Sequence, residues 1–131
     1  LGDGRIHQFC IRSGEREEFA FAKAHTELHP FCFDGLKQTV EALRKQGAPV
    51  YFTIDLDCLD PSAFPGTGTP EAGGVTFLEL LEAIRTVCTT HVVGADVNEL
   101  APMLDQSGVS TATACKALRE LLIALDKINI N

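Results

Sequence analysis

The chain has 131 residues, 45% of them hydrophobic and 22% charged, with a formal net charge of −7. That length is one domain's worth and lets folding bury roughly 65–70% of the extended surface. The composition argues against a disordered chain, the lack of an apolar run near the ~20 residues that span a bilayer argues against a membrane protein, and the acidic balance argues against nucleic acid or an anionic membrane while suiting a cationic small molecule.

Residues 5–11, RIHQFCI, are short, apolar and bounded by Gly4 and Ser13, so a strand is expected. Ser13 then precedes Glu15, Glu17 and Glu18, a cap and negative charge suited to the start of a helix that carries Phe19, Phe21 and Ala22 and ends near Ala24. His25 and His29 follow in HTELHP. Their spacing would bring two imidazoles to one helical face, but no Glu follows the first and Pro30 follows the second, so a loop is expected and not a zinc pair. Residues 34–46 read as an amphipathic helix capped by Asp34, with Leu36, Val40 and Leu43 at helical spacing and Gly47 as its stop.

Pro49 leads into VYFTIDL, apolar on both faces in the manner of a central parallel strand. Three carboxylates, Asp55, Asp57 and Asp60, stand where this strand runs out. Alternation along a strand would project Asp55 and Asp57 to one face, where they repel unless a cation, an arginine or a shared proton relieves them. Hard carboxylate oxygens suit Mg²⁺, Mn²⁺ or Ca²⁺, while arginine partners or turn formation remain open for a short D-x-D. Beyond the pair, Pro61, Pro65, Gly66, Gly68, Pro70, Gly73 and Gly74 shape a long loop of the kind that carries a site.

Thr76 and Glu79 form a capping box, and Phe77, Leu80, Leu81, Ile84 and Val87 give the following helix its core stripe. HVVGADV is the next buried strand, ending at Asp96, Asn98 and Glu99 before Pro102. A last helix, from about Ser107 or Ser110 to Asp126, should bury Cys115, Leu118, Leu121, Leu122 and Leu125 as one stripe. The order strand, helix, helix, strand, helix, strand, helix implies an α/β arrangement, a three-layer parallel sheet with flanking helices, whose ligands sit outside the carboxyl ends of the strands. The five cysteines, Cys10, Cys32, Cys58, Cys88 and Cys115, show no C-x-x-C spacing and are expected as reduced, packed thiols of a cytoplasmic protein. The chain opens at Leu1 without Met and reaches a strand within a few residues, as expected for a segment of a larger protein.

The positions Thr53, Ile54, Asp55, Leu56, Asp57, Pro61, Pro65, Gly66 and Gly74 resemble the strand-and-loop signature of the ureohydrolases, the family of arginase, agmatinase and their relatives. GTGTPE with its Gly pair, together with CIRSGEREE near the start, is more similar to agmatinase than to arginase. The resemblance covers nearly all of residues 1–131 but only the C-terminal half, or slightly less, of a full enzyme, so it implies the C-terminal part of an arginase-like fold. It further implies metal-dependent hydrolysis of a guanidino compound such as agmatine to urea and an amine, with two manganese ions activating a shared water. In that reading Asp55 bridges both ions and Asp57 holds one. Glu99 binds the guanidinium, Thr69 lies beside the substrate, and Asp96 steadies the metal site from behind.

The resemblance is incomplete. The family's G-G-D-H and D-A-H-x-D motifs, which supply the remaining ligands, do not occur, and His7, His25, His29 and His91 match no ligand position. The chain alone is therefore expected to be inactive, with its dinuclear manganese site incomplete or absent. The expected partners are a cationic guanidino small molecule and either a complementary N-terminal half or further copies in a homo-oligomer. Two alternatives stand beside this. One is a non-catalytic half-domain or a subunit of a split enzyme. The other is a haloacid dehalogenase-type phosphotransferase using Mg²⁺, with Asp55 as nucleophile and Asp57 as general acid, although Leu59 stands where that family wants Thr or Val.

Overall fold

A computed structural model of the chain describes residues 2–129. It opens with β1 (His7–Ile11) and α1 (Arg16–His25), and α1 begins where the Glu15 N–H donates to Glu18 Oε2 at 2.7 Å. Glu15 thus occupies the N-cap position expected for Ser13. Residues 25–30 are not a loop: His25 closes α1 and β2 (Glu27–Pro30) pairs parallel with β1, His7 against Glu27 and Phe9 against His29.

Next comes α2 (Leu36–Gln46). Its N-cap is Gly35 at φ 87, a left-handed backbone that glycine adopts at little cost, and not Asp34. Gly47, at φ 61, closes the helix through its N–H to Arg44 O at 3.1 Å. Then β3 (Pro49–Asp55) runs through a short 3₁₀ turn, Leu56–Cys58, into the long loop. α3 (Phe77–Val87) carries the chain back to β4 (His91–Asn98), which lies parallel to β3. A second 3₁₀ turn, Pro102–Leu104, precedes α4 (Val109–Asn129).

The result is the expected α/β fold with parallel strands, but there are four strands, and among the described residues they pair two by two, β1 with β2 and β3 with β4. The main core joins Ile54, Leu56, Leu59 and Phe64 to Leu80 and Ile84 of α3, to Cys88 at its C-cap and to Ala114, Ala117 and Leu121 of α4. A second cluster sets Leu36 and Val40 of α2 against Ala83 and Val87 of α3, with Phe9 and Phe52 packed against both clusters. Each fully buried large side chain of this kind contributes about 1.5–3 kcal/mol.

Two core expectations are corrected. β3 is covered on one face only: Ile54 is buried while Tyr51, Thr53 and Asp55 are exposed, because α3 and α4 supply the core beneath Ile54 and no described element covers the other side. On α4 the buried row is Ser110, Ala114, Ala117 and Leu121, the first three of them small residues that let the helix approach closely. Leu118 and Leu122, one position round the helix, are 45% and 59% exposed, and Cys115 is exposed as well. All five cysteines are free thiols, and burial pushes Cys10 and Cys58 up to about 12 and Cys88 to about 11. No helix among the described residues is long and apolar enough to cross a membrane.

Candidate functional site

The site forms where β3 ends. Ile54 and Leu56 anchor the chain in the core, and the 3₁₀ turn that follows Asp55 makes Asp57 a turn residue, not the next residue of a strand. The two carboxylates still act on each other: burial first, and the neighbouring Asp55 charge second, push the Asp57 carboxyl above its ordinary value. Arg12 acts in the opposite direction. Thr69 Oγ1 donates to Asp57 Oδ2 across 3.4 Å, a long contact that lowers the same carboxyl slightly.

Arg12, the third residue of CIRSGEREE, reaches this turn. It directly follows β1, and its guanidinium donates Nη1 to the Cys58 carbonyl at 2.8 Å and Nη2 to the Asp57 carbonyl. A basic residue just past a strand's carboxyl end was the available signal. A contact across 45 residues was not legible from local pattern.

Asp60 staples the loop. Its Oδ1 accepts from the Ser62 N–H at 3.0 Å and hydroxyl at 2.5 Å, and its Oδ2 from the Gly73 N–H at 3.0 Å. These donors, the Ser62 hydroxyl foremost, hold its carboxyl down at about 2. The loop's end is tied back by the Val75 N–H to Cys58 O at 3.0 Å and the Asp60 N–H to Val75 O at 3.1 Å. Its middle is pinned to α4, where the Gly66 N–H donates to the buried Ser110 Oγ at 2.8 Å, and to the Glu99 segment, where the Ala101 N–H donates to Gly66 O at 2.8 Å. Gly66 is required there, since a Cβ would stand 2.8 Å from both Ser110 Cβ and Oγ.

On β4, Asp96 pairs with Thr53 and Asn98 with Asp55. Asp96 accepts from Thr53 Oγ1 at 2.7 Å, Tyr51 OH at 2.7 Å and Asn98 Nδ2 at 2.6 Å, and Thr53 is the main cause that holds its carboxyl below the ordinary value. Glu99 follows Asn98 directly, so parallel register sets it at the same strand end as Asp55, exposed and at φ 71.

Asp55 and Asp57 are chemically suited to a hard cation: two carboxylates, one half-buried and raised by its neighbour, are relieved when a cation lies between them. They fit as two donors and no more. Among the described residues no three His, Cys, Asp or Glu side chains are grouped to hold a metal ion. Three of the four histidines have other partners, His7 and His29 sharing Glu27 and His25 meeting Asp3 at 3.0 Å. A groove of about 440 Å³ between residues 31–38 and α3 contains none of Asp55, Asp57 or Glu99, so the acidic group is an open strand-end surface and not part of that groove.

Comparison with known proteins follows the same boundaries. The sequence model of the Arginase family matches residues 1–124. An agmatinase of Bacillus anthracis is 45% identical over 126 residues, covering 94% of this chain and 43% of that protein. A crystal structure of a provisionally assigned agmatinase from Clostridium difficile superposes with a TM-score of 0.89 at 48% identity, over 97% of this chain and 47% of that one. The agmatine ureohydrolase of Thermoplasma volcanium superposes with a TM-score of 0.80 at 30% identity, over 97% of this chain and 44% of that one. The chain therefore spans somewhat less than half the length of the relatives it matches.

Proposed function

The chain belongs to the arginase family, and from that premise we propose that it is the C-terminal part of an agmatinase-type ureohydrolase, a manganese-dependent enzyme that cleaves a cationic guanidino compound such as agmatine to urea and an amine. Residues 1–131 form the C-terminal half of the domain. The observation that carries this reading is the shared strand end of Asp55, Asp57 and Glu99, set by the parallel register of β3 and β4. Because the family match runs through Asp55 and Asp57 themselves, it displaces the phosphotransferase alternative.

In this reading Asp55 and Asp57 would hold manganese as this chain's share of the metal site. When bound, the metal pair supplies Lewis acidity and lowers the pKa of water. Glu99 offers a carboxylate to the planar guanidinium fork, and Thr69 lines the approach from the loop. Asp96 acts from behind, its three accepted hydrogen bonds holding Thr53 and Asn98 beside Asp55.

A second reading, a half-domain or split-enzyme subunit whose site is completed by another polypeptide, is favoured by the limit of two carboxylate donors. The two readings are compatible: the chemistry belongs to the whole protein, and this chain contributes its share. Manganese titration of the purified chain tests the division. Weak uptake, lost in Asp55→Asn, is expected. Two tightly held ions would show that the chain carries a complete site and would sink the half-domain reading.

A further inference from the structure

We propose that Arg12 is the positioning residue of the acidic turn: aimed by a bulge at Cys10, its guanidinium fixes the backbone of Asp57 and Cys58 and so holds the Asp57 carboxylate beside Asp55. The inference rests on the reading of that pair as the chain's metal-binding share.

The ladder between β1 and β2 slips by one residue between Phe9 and Ile11. The extra residue is Cys10, 3% exposed and at φ 63, with its N–H bonded to Cys32 O at 3.3 Å. A non-glycine residue in the left-handed region persists only where its surroundings over-determine it, and such residues gather at sites. A bulge turns every side chain beyond it to the opposite face. Here the first polar side chain beyond it is Arg12, which reaches the turn after β3.

The contact is more than a tether. A planar fork that donates to two successive carbonyls, Asp57 O and Cys58 O, sets both the place and the tilt of the peptide between them, which a lysine ammonium cannot do from one point. Cys58 O also accepts the Val75 N–H at 3.0 Å. Three segments therefore meet at this one carbonyl: the end of β1, the acidic turn and the end of the long loop. Arg12 Nε is buried with no protein acceptor, so the guanidinium is held there by its two terminal nitrogens.

The test uses the chain with Arg12→Met and Arg12→Lys, reading amide hydrogen exchange by NMR and uptake of Mn²⁺ alone by electron paramagnetic resonance. In Arg12→Met the Leu59 and Val75 amides should exchange about tenfold faster or more, the scale of losing charge-assisted hydrogen bonds, while the α3 amides keep their rates. Manganese affinity should fall by about 10–100-fold, with Arg12→Lys in between on both readouts. Unchanged Leu59 and Val75 exchange overturns the proposal, as does an equal acceleration in α3, which would mark Arg12 as a general stabiliser. If Arg12→Met does not fold, Arg12→Lys decides by the same readouts, wild-type behaviour overturning the proposal. If the unaltered chain takes up no Mn²⁺, the metal reading fails for this chain, and exchange alone then decides the role of Arg12.

Discussion

Glu99 sits at φ 71, where a residue with a Cβ costs about 1–2 kcal/mol relative to its relaxed backbone. Glycine carries no such cost, so Glu99→Gly should stabilise the chain by about 1 kcal/mol even as it removes the proposed guanidinium partner, while Glu99→Gln should leave the thermal midpoint unchanged. A lower midpoint for the glycine variant would show that the Glu99 side chain holds structure and is not simply tolerated there. The opposite case is Gly74, where a Cβ would fall on the backbone of Leu59 and Asp60. Gly74→Ala must therefore displace the junction below the acidic turn. Thermal melting should show a loss of at least ~1 kcal/mol, and an unchanged midpoint would mean that the loop is free to shift. Asp55, Asp57, Asp96 and Glu99 stand out in the sequence because each lies at or near the end of a strand, whereas Thr69 enters only through the family resemblance. Arg12 and Ser110 do not stand out, since their meaning lies in contacts with Cys58 and Gly66 far along the chain.

At the scale of elements, α3 and α4 are joined by Glu120, which is buried and meets Lys116 Nζ at 2.7 Å, Arg85 Nη2 at 3.0 Å and Arg119 Nη2 at 3.4 Å. Lys116 and then Arg85 hold its carboxyl down at about 2. A depressed carboxylate stabilises the fold fully above its unfolded value and ceases to do so as pH falls through its folded one. The Glu120 contribution should accordingly be lost between pH ~4.5 and ~2, and that of Asp60, also held at about 2, between pH ~3.8 and ~2. Glu120→Gln should melt lower than the parent at pH 7 and converge with it near pH 2. A difference that persists at pH 2 would place the effect in packing and not in charge. The helices were legible because apolar spacing and the Thr76–Glu79 box are local signals, and that box is present in the structure. β2 was not legible: ELHP contains no β-branched residue and ends in proline, and pairing with β1 makes it a strand. On α4, Leu121 is buried as expected, but Leu118 and Leu122 turn outward because Ser110, Ala114 and Ala117 occupy the rest of the packed row.

For the whole molecule, the exposed face of β3 and β4 and the outward row of α4 raise the question of what covers them. Tyr51 and Val93 are 64% and 60% exposed on the sheet, and Leu118 and Leu122 stand outward on the helix. Apolar groups left on this scale favour association, so the chain should self-associate or pair with a complementary N-terminal half, and sedimentation across a range of concentrations would read it directly. A monomer at every concentration, with a high and cooperative melting transition, would contradict that expectation. What the proposed function requires of this chain is narrower: Asp55 and Asp57 would serve a guanidino-hydrolysing centre whose other ligands lie elsewhere. It is tested most directly by urea release from agmatine with Mn²⁺, measured for the chain alone and for the chain combined with a polypeptide carrying the G-G-D-H and D-A-H-x-D segments of the family. No urea above a no-protein control is expected from the chain alone, and release from the combination should disappear with Asp55→Asn or Asp57→Asn. Urea from the chain alone that is lost in Asp55→Asn, or release from the combination that survives both substitutions, would contradict it.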